Sequence, residues 1–294
     1  MNQQLLNSGD WDKVEKKKGF FRSYFRDCGK VAAGNAILLL ANMIVFVIAL
    51  CVVMLFFPMI FPVFLPDALK DYIIGTGLVD AALVTDEEVN NIYYMMCMLS
   101  AFLLNGFYLV ANGPFCSAIS YYFKNVLIGE NSIKHDIKKG LKDNWKQSLG
   151  ASFISLIITL VLLFNIGYYT NGAMGNGTLS MAAKSFFFCL LWFWSCMQLF
   201  VYPLIACVEL KLKEVYRNAA IMAVKNFPIV LLVFAVQAIL FAFLPFMLVF
   251  TVGSIGYAVT MLLYLLFSFG FTAYVSVYIT WRAIQKILSE SDSV

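Results

Sequence analysis

Apolar positions in this chain form long uninterrupted runs, and polar positions gather between them. Five runs contain no Asp, Glu, Lys or Arg: residues 31 to 66, 89 to 123, 147 to 183, 185 to 208 and 226 to 281. A helix crosses a bilayer in about 20 apolar residues, so each run is long enough to span. The last run carries Gly253 and Gly256 near its middle, which predicts two crossings joined by a tight turn. The pattern therefore predicts an all-α polytopic membrane protein with six transmembrane helices.

Between the runs the period changes. In IKHDIKKGLKDNWKQSL, residues 133 to 149, Ile133, Ile137, Leu141 and Trp145 recur every fourth position, with Lys139, Lys142 and Lys146 on the opposite side. This predicts an amphipathic helix within 124 to 146. A second is predicted over 209 to 226, ELKLKEVYRNAAIMAVKN, with Leu212, Val215, Ala219 and Met222 on one face and Arg217 roughly opposite. Spans two to five then read as a weak parallel hairpin repeat. Each unit has a proline (Pro114, Pro203), a polar helix, an Asn-aromatic pair (Asn144-Trp145, Asn226-Phe227) and a return span.

Composition agrees with the pattern: 62% of residues are hydrophobic and 13% charged, far from the roughly 25% charged of soluble domains. Charge placement sets the expected orientation. Of 21 Lys and Arg, seven precede residue 31, six lie in 124 to 146, four in 211 to 225 and two after 281. An even number of spans puts all 19 on one side, and positive charge stays cytoplasmic, so both termini are expected there. Residues 67 to 88 hold six acids and one cation, Lys70, which suits the outer side. The expected organisation is a basic segment 1–30, a transmembrane domain 31–282 and a tail 283–294. Its external segments are 67–92 and 165–181, its cytoplasmic helices 124–146 and 209–226. No cleavable signal peptide is expected, because a charged segment precedes a first run too long for an h-region.

Smaller signals refine this. GFFRSYFRDCGK, with Phe21, Tyr24 and Phe25, reads as an interfacial helix leading into span one. Pro58, Pro62 and Pro66 predict a kinked or unwound outer end. Six of the seven cysteines lie in the charge-free runs without CxxC spacing, which predicts buried packing residues. The 186 to 194 aromatics, FFFCLLWFW, suit an interfacial belt, and Asn176-Gly-Thr178 matches the glycosylation sequon by composition alone.

The chemistry of the spans is mostly defined by what they lack. No ionisable residue lies in the central part of any predicted span, which weighs against a proton-driven carrier and against intramembrane hydrolysis. His135, the single histidine, has no ligand set around it, and Asp136 is expected to point elsewhere. No catalytic residue, metal site or cofactor is predicted. The spans do hold amides, Asn35, Asn42, Asn105, Gln198 and Gln237, which either hydrogen-bond between helices or line a headgroup or sugar site. Nucleic acid is not an expected partner, since no cationic domain stands free of the membrane.

The stretch NGPFCSAISYYFKNVLIGENSIKHDIKKGLKDNWKQSLGASFI resembles the hallmark region of YesL-like bacterial membrane proteins, a domain family of unknown function. The matching positions are Pro114, Ala118, Tyr121, Gly129, Glu130, Asp136, Lys142, Asn144, Trp145, Lys146 and Gln147. A second block resembles the family's later element at Pro203, Leu212, Lys213, Glu214, Arg217, Asn218 and Ala219. The resemblance implies a bacterial plasma-membrane protein linked to carbohydrate import.

Two functions are expected from these readings. The first is an accessory or regulatory component of carbohydrate (ABC-type) uptake, acting through partners. Its docking face would be Ile137, Lys139, Leu141, Lys142, Trp145, Lys146, Val215 and Arg217, its partners the lipid bilayer and ABC importer subunits, and a homo-oligomer is compatible with it. The second is a passive transport or lipid-handling protein with an uncharged intramembrane site at Asn42, Asn105, Gln198 and Gln237.

Overall fold

The computed structural model describes residues 19 to 77, 84 to 129, 132 to 170 and 177 to 291, and every regular element among them is helical. The sequence readings at Asp80, Glu130 and Asn176, in residues 1 to 18 and at the last residues of the tail lie outside the described residues. Among the described residues, five helices are long and apolar enough to cross a membrane: Phe20–Ile60, Ile133–Thr170, Thr178–Cys207, Phe227–Val249 and Thr251–Gln285.

Helix α1, Phe20–Ile60, runs unbroken for 41 residues. No breaker separates the aromatic-basic stretch from the first apolar run, so the stretch read as an interfacial helix is continuous with the helix of the first span. Phe20 and Tyr24 pack on Phe271 and Tyr274, while Phe21 and Phe25 stay exposed. The proline series does unwind the far end. The helix passes Pro58 and stops at Ile60, Pro62–Phe64 form a 3-10 turn, and Pro66 opens α2, Pro66–Gly75. Proline is tolerated in a first helical turn, where its missing N–H has no partner to lose.

Helix α3, Asp86–Gly106, starts at a capping box in which Thr85 and Glu88 satisfy each other's backbone N–H. Lys70 of α2 donates to Asp86 at 2.6 Å and holds that carboxyl below its ordinary range. The chain then leaves helical geometry at residues 107 to 112 before α4, Gly113–Ile128. The 89 to 123 run is thus two helices, and neither is among the five long apolar ones.

Helix α5, Ile133–Thr170, joins the charged stretch to its span in one element of 38 residues. The amphipathic stretch from Ile133 to Trp145 lies wholly at the start of α5, and the 124 to 146 segment also takes in the end of α4. Helix α6, Thr178–Cys207, continues through Pro203, whereas the chain is broken just before Pro114. The two units of the hairpin pattern so differ locally. Helix α7, Leu212–Lys225, ends at Asn226, and α8, Phe227–Ala238, begins the last run.

That run folds back on itself. A π-helical turn at Ile239–Phe243 leads into α9, Leu244–Leu263, which is bent at Gly253, and a second π-helical turn, Tyr264–Ser268, precedes α10, Phe269–Ser291. Gly253 has φ 60° and ψ −131°, a conformation that favours glycine. The reversal brings the Tyr264 hydroxyl to donate to the Phe241 carbonyl at 2.8 Å. The expected turn within the run is present.

Apolar side chains fill the interior and also cover the outer faces. Along α1, Leu40, Met43, Ile44 and Val47 are exposed, as are Phe153, Ile157, Val161 and Phe164 along α5. The buried face of α5 is small and polar as far as Thr159, with Gly140, Ser148, Ala151 and Ser155, and becomes apolar at Leu162, Leu163 and Ile166. Lipid is as apolar as leucine, so helices in a membrane associate through small residues and hydrogen bonds. These stripes identify a multi-pass membrane protein. Cys51 and Cys189 lie on exposed faces, as does Cys28, and only Cys97, Cys116, Cys196 and Cys207 are buried as expected. At the centre sits α4, enclosed by α1, α5, α6 and α10.

Candidate functional site

The sequence NGP, residues 112 to 114, explains why the second run cannot remain one helix. Proline disfavours helical geometry in the residue before it, and Asn-Gly marks turns. Tyr108, at φ 57°, takes the left-handed conformation, and the chain turns back on the end of α3 through Leu109 and Val110, both donating to the Leu104 carbonyl.

This irregular backbone is buried: Phe107, Tyr108, Leu109, Val110 and Ala111 are all at most 6% exposed. Non-helical chain at membrane depth persists only where protein or a cavity satisfies its polar groups. Here α1 and α5 supply the partners. The Asn112 N–H donates to Asn42 Oδ1 at 2.7 Å, and Asn112 Nδ2 donates to the Ala41 carbonyl at 2.8 Å. The Gly113 N–H donates to Ser152 Oγ at 2.7 Å, and Ser155 Oγ lies 3.1 and 3.0 Å from the Tyr108 and Leu109 carbonyls. Gly113 is required by the approach of α5, because a Cβ there would collide with the Ser148 carbonyl and Ser152 Oγ.

Beside the break lies a cleft of about 280 Å³. Its walls are Val45 and Ile48 of α1, Val110, Ala111 and Pro114 at the break, and Leu149, Phe153 and Leu156 of α5, with polar atoms from Asn112 and Ser152. Ile48, Leu149 and Phe153 are among the exposed apolar residues, so the cleft opens sideways between two lipid-facing stripes. Ser152 lies five residues into the run that starts at Gln147, about 8 Å along the helix at 1.5 Å per residue.

The four amides expected to form an intramembrane site do not share this cleft. Asn42 is joined to the break through Asn112. Asn105 sits at the end of α3, Gln198 in α6 and Gln237 in α8, all buried; Asn105 and Gln237 have neither polar end hydrogen-bonded, and Gln198 lies against the Tyr216 hydroxyl. Asn35 serves as helix-to-helix glue: it donates to the Tyr264 and Leu265 carbonyls and accepts from the Gly270 N–H, satisfying groups released by the second π-helical turn.

The expected docking face is divided by the packing. Ile137 and Leu141 are half-buried, Lys139 lies over the Tyr121 ring at 5.5 Å, and Lys142, Trp145 and Lys146 are exposed. Val215 is fully buried, and Arg217 is exposed. The two polar helices do meet, through Gln147 Nε2 donating to the Leu210 carbonyl at 2.7 Å and Tyr216 donating to the Ala151 carbonyl at 3.1 Å. His135 Nδ1 lies 3.4 Å from Asp136 Oδ1, a correction to the expectation that the two point apart. Asp136 is buried, accepting from Asn125 Nδ2 at 2.9 Å and the Ser132 N–H at 2.8 Å, so it closes the turn between α4 and α5. Trp194, within the expected aromatic belt, instead stacks on Tyr216 at 5.5 Å.

Sequence reading missed Asn112, Ser152 and Ser155. The NGP signal was visible, but serines in an apolar run look like any small packing residue. Among the described residues no cluster of three or more His, Cys, Asp or Glu is placed to hold a metal ion. Comparison with protein families, curated proteins and solved structures finds no match to this chain.

Proposed function

We propose that this is a lipid-handling membrane protein whose broken second crossing creates a lateral site for the hydrocarbon chain of a membrane lipid. In this reading α3 and α4 together make one crossing, giving six, with both termini cytoplasmic in a plasma membrane. The observation that carries it is the cleft beside Asn112 and Ser152. Eight of its ten lining residues are apolar, which suits an acyl chain and not a polar solute, and its opening faces hydrocarbon. A passive path along Asn105, Gln198 and Gln237 has less support, because none of the three reaches the cleft.

The test is photolabelling of the reconstituted protein with a lipid carrying a diazirine on its acyl chain, followed by peptide mapping. Labelling concentrated on residues 149 to 156 and suppressed by Ala111→Phe supports the reading. Labelling spread evenly over all exposed stripes and indifferent to Ala111→Phe would sink it.

A second reading rests on α7. Lys213, Arg217, Ile221 and Val224 are exposed and share one helix face, a mixed cationic and apolar surface fit for a cytoplasmic partner. With the YesL-like resemblance, this supports an accessory component of carbohydrate ABC uptake. Importer subunits that co-purify in mild detergent with wild type, and not with Arg217→Glu/Val224→Asp, would favour it.

A further inference from the structure

We propose that the lipid held in the cleft is anionic, with its headgroup bound by Lys142 and Lys146 and one acyl chain running into the cleft. The inference rests on the lipid-handling reading and adds the headgroup class. It starts from a second feature of α5. Lys134, Lys138, Lys142 and Lys146 recur every fourth residue and are all exposed, and none forms an ion pair among the described residues. Like charges at this spacing repel one another on a helix, and Asp143, the exposed acid among them, pairs with none of the four, so the row is open to an anion from outside the chain.

The row lies directly in line with the cleft. At about 100° per residue, Lys142, Trp145, Lys146, Leu149, Ser152 and Phe153 fall within roughly a third of the helix circumference. Lys146 precedes Leu149 by about 4.5 Å and Ser152 by about 9 Å along the axis at 1.5 Å per residue. A phosphate at the lysines therefore places the first carbons of its chain beside Leu149 and Phe153. Trp145 is 50% exposed between them, at the level where amphipathic rings sit against headgroups. An uncharged amphiphile would use the cleft and leave the lysine row unused, and a free phosphate would do the reverse.

The full-length protein, purified in mild detergent and equilibrated with equimolar phosphatidylglycerol and phosphatidylcholine, is examined by native mass spectrometry for lipid retained after detergent removal. Wild type is expected to retain phosphatidylglycerol preferentially. Lys142→Gln/Lys146→Gln is expected to reduce that preference roughly thirty-fold, at about fivefold per lysine near an anionic surface. Lys213→Gln/Lys225→Gln, with the same net charge change, is expected to leave it intact. Retention without headgroup preference, or a preference equally sensitive to both double variants, overturns the anionic assignment while the cleft reading stands. Retention of neither lipid by wild type overturns both.

Discussion

A buried amide in a membrane helix stabilises or destabilises according to whether it has a partner, and this chain holds both kinds. Asn42 accepts from a backbone N–H that has left helical geometry, and Asn35 satisfies three backbone groups at a π-helical turn. Interhelical hydrogen bonds in bilayers average about 0.6 kcal/mol because the separated helices find other partners. A backbone N–H at a break has no alternative, so the cost of stranding it, about 1–3 kcal/mol, is the better guide. Asn42→Leu and Asn35→Leu should each destabilise by about 1–3 kcal/mol in thermal unfolding of detergent-solubilised protein. Gln237→Leu removes an amide that bonds nothing, so it should be neutral or stabilising. A comparable loss at Gln237 would mean that its amide holds water or a solute, and would revive the intramembrane pathway.

At the scale of elements, the chain's interruptions are what set the site. The hairpin in the last run rests on Gly253, whose φ of 60° combined with ψ of −131° favours glycine. Gly253→Ala should cost about 1–3 kcal/mol by the same unfolding assay, and Thr251→Ala, two residues earlier where the backbone keeps helical φ and ψ, should cost little. Equal effects at the two positions would show that the backbone conformation is not what the glycine supplies. This turn was legible in the sequence, because a charge-free run of that length must reverse and its glycines lie midway. The break at 107 to 112 was not legible from hydropathy, since its residues are as apolar as those of a helix. Its only local signal is Asn112-Gly113-Pro114, and what stabilises it, Asn42 and Ser152, comes from elements distant in sequence. Conversely, α1 and α5 outrun their predicted boundaries because a change from charged to apolar residues does not stop a helix. Only a lost hydrogen bond or a cap does.

At the scale of the whole molecule, the lipid reading and the charge distribution must agree on one orientation. The lysine row on α5 meets anionic headgroups only if its end of the bundle faces a leaflet that carries them, and the cytoplasmic leaflet of a plasma membrane does. The cation bias of the other segments, seven Lys and Arg before residue 31 and four in 211 to 225, predicts the same side for that end. Helices α1 and α5 run parallel, since Gly167 approaches Met59 while Ser152 lies beside the Val45 end of the cleft. The acidic α2, which follows α1, therefore belongs to the opposite surface from Lys142. The expected outcome follows for single cysteines placed at Lys142 and at Asp67 in a cysteine-free background and probed in intact cells with a membrane-impermeant maleimide. Asp67→Cys should label at once and Lys142→Cys only after the membrane is opened. Labelling of both from outside would remove the common orientation on which the headgroup assignment, the six crossings and the cytoplasmic docking face of α7 all depend.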